Sequence, residues 1–381
     1  MPSTLDVTGL PFDADAMLAG LKTWVECESP TYDTAAVNRM MDLVSHDLAI
    51  MGAQIERIPG RMGLGDCVRA RMPHPLGDAP GILVLGHFDT VHPVGTLADL
   101  PFRREGDTCT GPGICDMKGG NYLTLEALRQ LQRAGIETRL PVTLLFTPDE
   151  EIGTPSARAL IEAEAARARA VLVPEPGHPE GGVTSGRYAI ARFNLTARGR
   201  PSHAGVRLKE GRSALRMMAR KLVEIEDMTT DDCTFSVGTL HGGQWVNCVS
   251  SLAEGQALSM AKRQGDLDRG VERMLALSGE QGDVTFEVTR GVTRPVWEPS
   301  AGTHRLLAMA ERFHQAVGLG FRHQSQGGGS DGNFTGALGV PTLDGLGVEG
   351  GMVHTLAEFI HVPSLAARGR VMAGLLATID Q

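Results

Sequence analysis

Five stretches of the chain carry side chains of the kinds that ligate metal ions: His87 with Asp89, Asp116, Glu150 with Glu151, Glu175, and His354. All lie near glycine or proline, after apolar runs or in loops. Imidazole nitrogen and carboxylate oxygen suit a borderline cation such as zinc, and two such ions can share one bridging carboxylate. A single histidine or acidic pair is more often a core or surface residue. Five such stretches in one chain point instead to a metal-dependent hydrolytic site.

Two of them show how the ligands are positioned. Gly86-His87-Phe88-Asp89-Thr90-Val91 follows the apolar run Gly81–Leu85, and Thr147-Pro148-Asp149-Glu150-Glu151-Ile152-Gly153 follows Pro141–Phe146. Both clusters are therefore expected at carboxyl ends of buried strands, where open α/β sheets bind ligands. Residues 12–51 read as helical. From Gly81 to Pro174 the pattern gives a strand over 82–87, a long glycine-bearing loop, a helix near 118–134, a strand over 141–147, a helix near 154–168 and a strand over 170–174. This alternation predicts an α/β fold with a mostly parallel sheet flanked by helices.

The texture changes after Gly182. Residues 188–198 alternate as in a half-exposed strand, followed by a helix near 211–227, strands near 233–240 and 255–262, a helix over 266–277 and a strand at 284–288. That β-α-β-β-α-β order predicts an inserted α+β split-βαβ sheet. A helix over 300–317, a strand over 340–346 and a helix over 363–378 then return to the first sheet. The expected division is a discontinuous catalytic body, 1–186 and 296–381, with an insert at 187–295.

With 381 residues, two to three units are expected; 42% hydrophobic and 21% charged residues describe an ordinary globular chain. No apolar run approaches the roughly 20 residues that span a membrane. A formal charge of −9 argues against nonspecific nucleic-acid binding, which needs a basic surface. The N-terminus shows no basic segment leading into an apolar one, so a cytoplasmic location is expected. Six cysteines without a CxxC pair suit a reducing compartment, with Cys109 and Cys115 nearest to a pair.

The order of motifs also resembles a known family. Gly86–Val91, Gly111-Pro112-Gly113-Ile114-Cys115-Asp116-Met117-Lys118-Gly119-Gly120 and Asp149-Glu150-Glu151-Ile152-Gly153-Thr154 are similar to motifs of the two-zinc aminoacylase/carboxypeptidase family, nearest to its bacterial glutamate carboxypeptidases of the G type. The resemblance implies two zinc ions per subunit, with cobalt or manganese as alternatives, bridged by Asp116. His87 and Glu175 would complete one ion's protein ligands, and Glu151 and His354 the other's. His361 is a rival for His354; the Glu358-Phe359 that follows His354 matches the family pattern, whereas His361-Val362-Pro363 reads as the start of the last helix. The resemblance makes Asp89 the group that orients the His87 ring, and Glu150 the general base beside a metal-activated water.

On the insert, Gly199-Arg200-Pro201-Ser202-His203-Ala204-Gly205 resembles a motif whose histidine stabilises the tetrahedral oxyanion, often across a dimer interface. Gly242-Gly243-Gln244-Trp245-Val246-Asn247 resembles the segment whose asparagine contacts substrate. Arg290-Gly291-Val292-Thr293-Arg294-Pro295 resembles the one whose arginine clamps a substrate carboxylate, a task its bidentate fork suits. In Gly327-Gly328-Gly329-Ser330-Asp331, neither a phosphate-loop lysine nor dinucleotide spacing follows, so Gly328 and Gly329 read as a close-approach loop at the active site. Two departures from the family, Cys248-Val249-Ser250 and Leu258-Ser259-Met260, fall in the insert and bear on substrate choice and the dimer contact. The resemblance implies hydrolysis of an amide or peptide bond beside a free α-carboxylate, on a small peptide or N-acyl amino acid, by a homodimer joined through the insert. A deacylase or dipeptidase, and a non-catalytic metal-containing binding protein, are the alternatives.

Overall fold

The structure, a computed structural model, describes residues 5–380 and divides into two compact units. Of the described residues, 5–186, 297–326 and 330–380 form one; 187–296 and 327–329 form the other.

The larger unit is built on a six-stranded sheet in the order Gln54–Ile58, Cys67–Arg71, Val142–Thr147, Ile82–His87, Ala170–Leu172, Thr342–Leu343. The last four strands run parallel, while the first two form an antiparallel hairpin on one edge. Every residue of Ile82–His87 is buried, as a strand covered on both faces requires. Its side chains alternate between two cores. Ile82 and Val84 pack with Trp24, Met40, Leu123, Phe313 and Leu375 on one face; Leu83 and Leu85 pack with Leu145, Ile161, Val171 and Phe334 on the other. Helices Ala14–Glu26 and Thr34–Ile50 are each opened by an aspartate cap, Asp13 and Asp33, whose carboxylates accept first-turn N–H groups.

The chain passes from Ile82–His87 to Val142–Thr147 on one side, then back across it to Ala170–Leu172 on the other. The sheet therefore changes direction beside Ile82–His87, and the crevice at such a switch point opens at carboxyl ends of the strands. In register, His87 lies opposite Thr147. The residues just beyond each strand, Asp89 and Glu150, consequently emerge at the same edge.

Two sequence expectations are corrected in this unit. The loop expected between residues 88 and 117 contains Arg103–Glu105 and Thr108–Thr110, which join Phe359–His361 and Gly350–Gly351 in a small antiparallel sheet. The strand expected over 340–346 contracts to Thr342–Leu343. Pro341 offers no N–H to a ladder, and Gly345 turns the chain away with φ of 69°.

In the smaller unit, the sheet order is Cys233–Gly242, Leu252–Ala261, Ala189–Arg198, Thr285–Arg294, Gly279–Glu280, all antiparallel. Helices Ala214–Glu226 and Gln264–Leu275 complete the strand-helix-strand-strand-helix-strand order. Ala189, Ala191, Phe193, Leu195 and Ala197 alternate into a core with Met218, Phe235, Met274 and Phe286. No helix among the described residues is long and apolar enough to cross a membrane.

Candidate metal centre

His87 is the last residue of its strand, and two contacts fix it. Asn121 Nδ2 donates to its carbonyl at 2.7 Å, and its ring Nδ1 lies 3.0 Å from the Asp89 carbonyl and 3.3 Å from Asp89 Oδ1. Gly86 permits the first contact: a Cβ there would fall 2.1 Å from Asn121 Oδ1. Asp89, wholly buried, also reaches the second cluster. Its Oδ1 accepts from the Glu150 N–H at 3.1 Å, and its Oδ2 accepts from the Glu151 N–H at 3.2 Å and from Thr31 Oγ1 at 2.8 Å. One carboxylate thus ties the His87 exit to the Glu150–Glu151 turn, a wider role than orienting one ring.

The turn itself is bracketed from outside. Asp331 accepts from Thr147 Oγ1 at 3.0 Å and from Thr154 Oγ1, the residues flanking it at either end. Asp116 sits in the turn Ile114–Lys118, entered through Gly113 at φ of 68° and containing a cis Asp116–Met117 peptide. Glu175 follows strand Ala170–Leu172 and is buried. His354, half exposed, adopts φ of 64°, and Met352 two residues earlier adopts 55°. Non-glycine residues in this left-handed region cost on the order of 1–3 kcal/mol each, a strain that tends to collect at functional sites.

These segments converge. Asp116 Oδ1 stands 3.2 Å from His87 Nε2, and its Oδ2 stands 3.3 Å from His354 Nε2. His87 Nε2 is 3.8 Å from Glu175 Oε1, and His354 Nε2 is 3.0 Å from Glu151 Oε2. Two atoms each bound to one tetrahedral zinc at about 2.0–2.1 Å stand about 3.3 Å apart, so these spacings fit such an ion. Among the described residues, two groups could each hold a cation: His87, Glu150 and Glu175, and Asp116, Glu151 and His354, with the ligand atoms of each within 4.8 Å of one another. Asp116 faces both. Glu150, expected as a base, is thereby also placed among potential ligands. His361 belongs to neither group.

The electrostatics favour a cation. Burial, with the Asp116 charge nearby, pushes the Glu175 carboxyl well up. Burial raises Glu151 to about 7 against the opposing hydrogen bond from His354. Hydrogen bonds to Asp116 and Glu151 raise His354 to about 11. Burial alone would lower His87, but Asp116 and Asp89 outweigh it and hold the imidazole above its ordinary value. Burial likewise works against an ionised Asp116, yet the His354 and His87 imidazoles keep its carboxyl below the usual range. Buried carboxylates in surplus over imidazoles retain protons unless a metal ion replaces them.

A family model, peptidase family M20/M25/M40, matches residues 83–378. The chain belongs to this family. It is 30% identical over 374 residues to carboxypeptidase G2 of Pseudomonas sp. (strain RS-16), covering 95% of this chain and 88% of that protein. A succinyl-diaminopimelate desuccinylase of Verminephrobacter eiseniae (strain EF01-2) is 25% identical over 362 residues, covering 86% of this chain and 88% of that one. In fold it is similar to the M20 metallo-carboxypeptidase Sso-CP2 of Sulfolobus solfataricus, with a TM-score of 0.75, 15% identity, and coverage of 95% and 98% of the two chains. The protein is a metal-dependent hydrolase of the M20 family with a mixed α/β body and an inserted α+β unit.

The remaining expected site residues of this M20 chain lie in the smaller unit. Residues 202–204 and 247–249 run side by side: Ala204 N donates to the Asn247 carbonyl at 2.8 Å, Val249 N donates to the Ser202 carbonyl at 2.9 Å, and His203 bridges Cys248. His203 Nδ1 accepts from the Gly205 and Val206 N–H groups at 3.1 and 3.2 Å. Both partners are donors, which places the ring proton on Nε2. Arg294, at the end of Thr285–Arg294, packs on the glycine loop: a Cβ at Gly329 would meet Arg294 Cδ at 2.6 Å and Ile190 Cδ1 at 2.8 Å. Gly328 has φ of 81°, and its carbonyl accepts from Arg187 Nη1 at 3.2 Å. Sequence reading missed Arg187, Thr31, Thr147 and Thr154, because no local spacing marks a residue whose partners are tens to hundreds of positions away.

Proposed function

We propose that this M20 hydrolase cleaves an amide or peptide bond next to a free α-carboxylate, with a glutamate carboxypeptidase-like preference and two zinc ions per subunit. The observation that carries the reading is Asp116, whose two oxygens face His87 on one side and His354 on the other. His87, Asp116 and Glu175 would hold one ion, and Asp116, Glu151 and His354 the second. Bound zinc would polarise the scissile carbonyl and lower the pKa of a water towards about 7. Glu150 would accept that proton on its carboxylate and return it to the departing amine, a role typically worth about 10²–10⁴ in rate. His203 Nε2–H would donate to the developing oxyanion, and Asn247 would contact the substrate. Arg294, with Arg187 on the same glycine loop, would take the carboxylate; Gly328 and Gly329 leave room for the backbone to approach it.

Support for the carboxypeptidase reading comes from the Arg294 and glycine-loop arrangement together with the similarity to carboxypeptidase G2. The desuccinylase relative keeps N-acyl-amino-acid deacylation as the second reading. Homodimer formation through the insert, in the cytoplasm, completes the proposal. Its support is the edge strand Cys233–Gly242, paired on one side only among the described residues and exposed from Gly238 onwards, with Leu240, Trp245 and Val246 exposed beside it.

The test pairs zinc content with hydrolysis of N-acyl glutamates and acetylated amino acids, in wild type and Glu150→Gln. The expected result is wild-type zinc with kcat reduced about 10²-fold or more. Loss of zinc in the variant would make Glu150 a ligand, activity confined to acetylated amino acids would favour the deacylase, and no hydrolysis by wild type would favour a metal-containing binding protein.

A further inference from the structure

Glu358 is 1% exposed and has no part in the proposed chemistry. Its Oε1 accepts from the Cys115 N–H at 2.8 Å and from the Asp116 N–H at 3.1 Å. Its Oε2 accepts from the Gly113 N–H at 3.0 Å and faces His92 Nε2 at 2.9 Å. Three N–H groups of one turn directed at a single carboxylate form a nest for an anion, here supplied by the chain itself.

The origin of those donors gives the contact its meaning. His92 lies in the segment that leaves His87, Gly113–Asp116 is the turn that presents Asp116, and Glu358 follows His354 by four residues. Between His354 and Glu358, Thr355 N donates to the Met352 carbonyl at 3.2 Å and Glu358 N donates to the Thr355 carbonyl at 3.3 Å, so the segment is itself folded into turns. Three ligand-bearing segments, more than 240 positions apart at the extremes, therefore meet at one buried carboxylate.

We propose that Glu358, held by His92, is a positioning residue that fixes the backbone of Asp116 so that each of its oxygens serves one of the two cations. Asp116 has little tolerance for rotation. Oδ1 and Oδ2 already stand 3.2 and 3.3 Å from the two imidazoles, and a tilt that favours one withdraws the other. Loss of Glu358 should therefore uncouple the two metal positions before it unfolds the protein.

This inference rests on the two-metal reading, and the experiment separates the two. Full-length wild type, Glu358→Gln and His92→Phe are stripped and titrated with zinc against a chromogenic chelator, with circular dichroism recorded on each. Glutamine keeps the shape but offers one acceptor oxygen, so its amide nitrogen must face either the Cys115 and Asp116 N–H groups or that of Gly113. The expected result is two zinc ions in wild type, and a folded Glu358→Gln whose weaker site loses about 10- to 100-fold in affinity. His92→Phe should shift the same site less, because three N–H donors remain on the carboxylate. A folded Glu358→Gln with wild-type affinity at both sites would overturn the inference. Should that variant fail to fold, His92→Phe decides, and unchanged affinity there overturns it. Zinc binding by none of the three would overturn the metal reading, and this inference with it.

Discussion

Asp89→Asn exchanges one carboxylate oxygen for an amide nitrogen at a place where every side-chain contact comes from a donor. Oδ1 faces the Glu150 N–H and His87 Nδ1; Oδ2 faces the Glu151 N–H and the Thr31 hydroxyl. With the amide oxygen in the Oδ1 position, the Thr31 hydroxyl can turn and accept, but the Glu151 N–H cannot. Reversing the amide moves the same conflict to the Glu150 N–H and the imidazole. Either way one backbone donor of the Glu150–Glu151 turn loses its partner, at about 1–3 kcal/mol, and charge-assisted bonds become neutral ones about half as strong. The expected outcome is a folded variant that melts several degrees lower, binds zinc about 10- to 100-fold more weakly and loses activity in the same range. Differential scanning calorimetry, chelator competition and kcat/KM on one preparation measure all three. A variant with wild-type zinc affinity and kcat/KM would refute the reasoning, since it would show that the turn keeps its place without Asp89.

Two further outcomes are expected. Zinc affinity should rise steeply with pH: His87 and His354 are both raised, the latter to about 11, so each ion must displace bound protons near neutrality. Each ion displaces one imidazolium proton, which gives each site a slope of about one decade per pH unit, and Glu151, at about 7, steepens the slope of the His354 site below neutrality. Chelator titrations between pH 6 and 8 check this, and a slope well below one decade would contradict it. Gly329→Ala should force Arg294 and Ile190 aside and raise KM for carboxylate-bearing substrates about tenfold, the loss of a charged hydrogen bond, with zinc content unchanged; an unaltered KM would remove Arg294 from carboxylate recognition.

Much of this was legible in the sequence where the signal is local. The run Ile82–Leu85 alternates between two cores, so it had to be a strand covered on both faces, and its polar exit had to be His87 and Asp89. The insert was readable for the same reason: Ala189, Ala191, Phe193, Leu195 and Ala197 repeat with period two. Three-residue strands such as Arg103–Glu105 and Phe359–His361 are too short to show a period. The wider role of Asp89 was hidden because two of its partners are backbone N–H groups 61 and 62 positions away, which no side-chain pattern encodes. Glu358 was visible as part of a motif, but its three N–H contacts depend on a turn more than 240 residues earlier.

The hydrogen bonding of His203 limits what its ring can do with a proton. With Nδ1 occupied by the Gly205 and Val206 amides, the ring can give a hydrogen bond through Nε2 but cannot relay a proton from one nitrogen to the other. In the proposed reaction His203 would then steady charge without shuttling hydrogen. With Glu150 as the proposed base, the proton taken from water and returned to the amine would then travel on a carboxylate of the body.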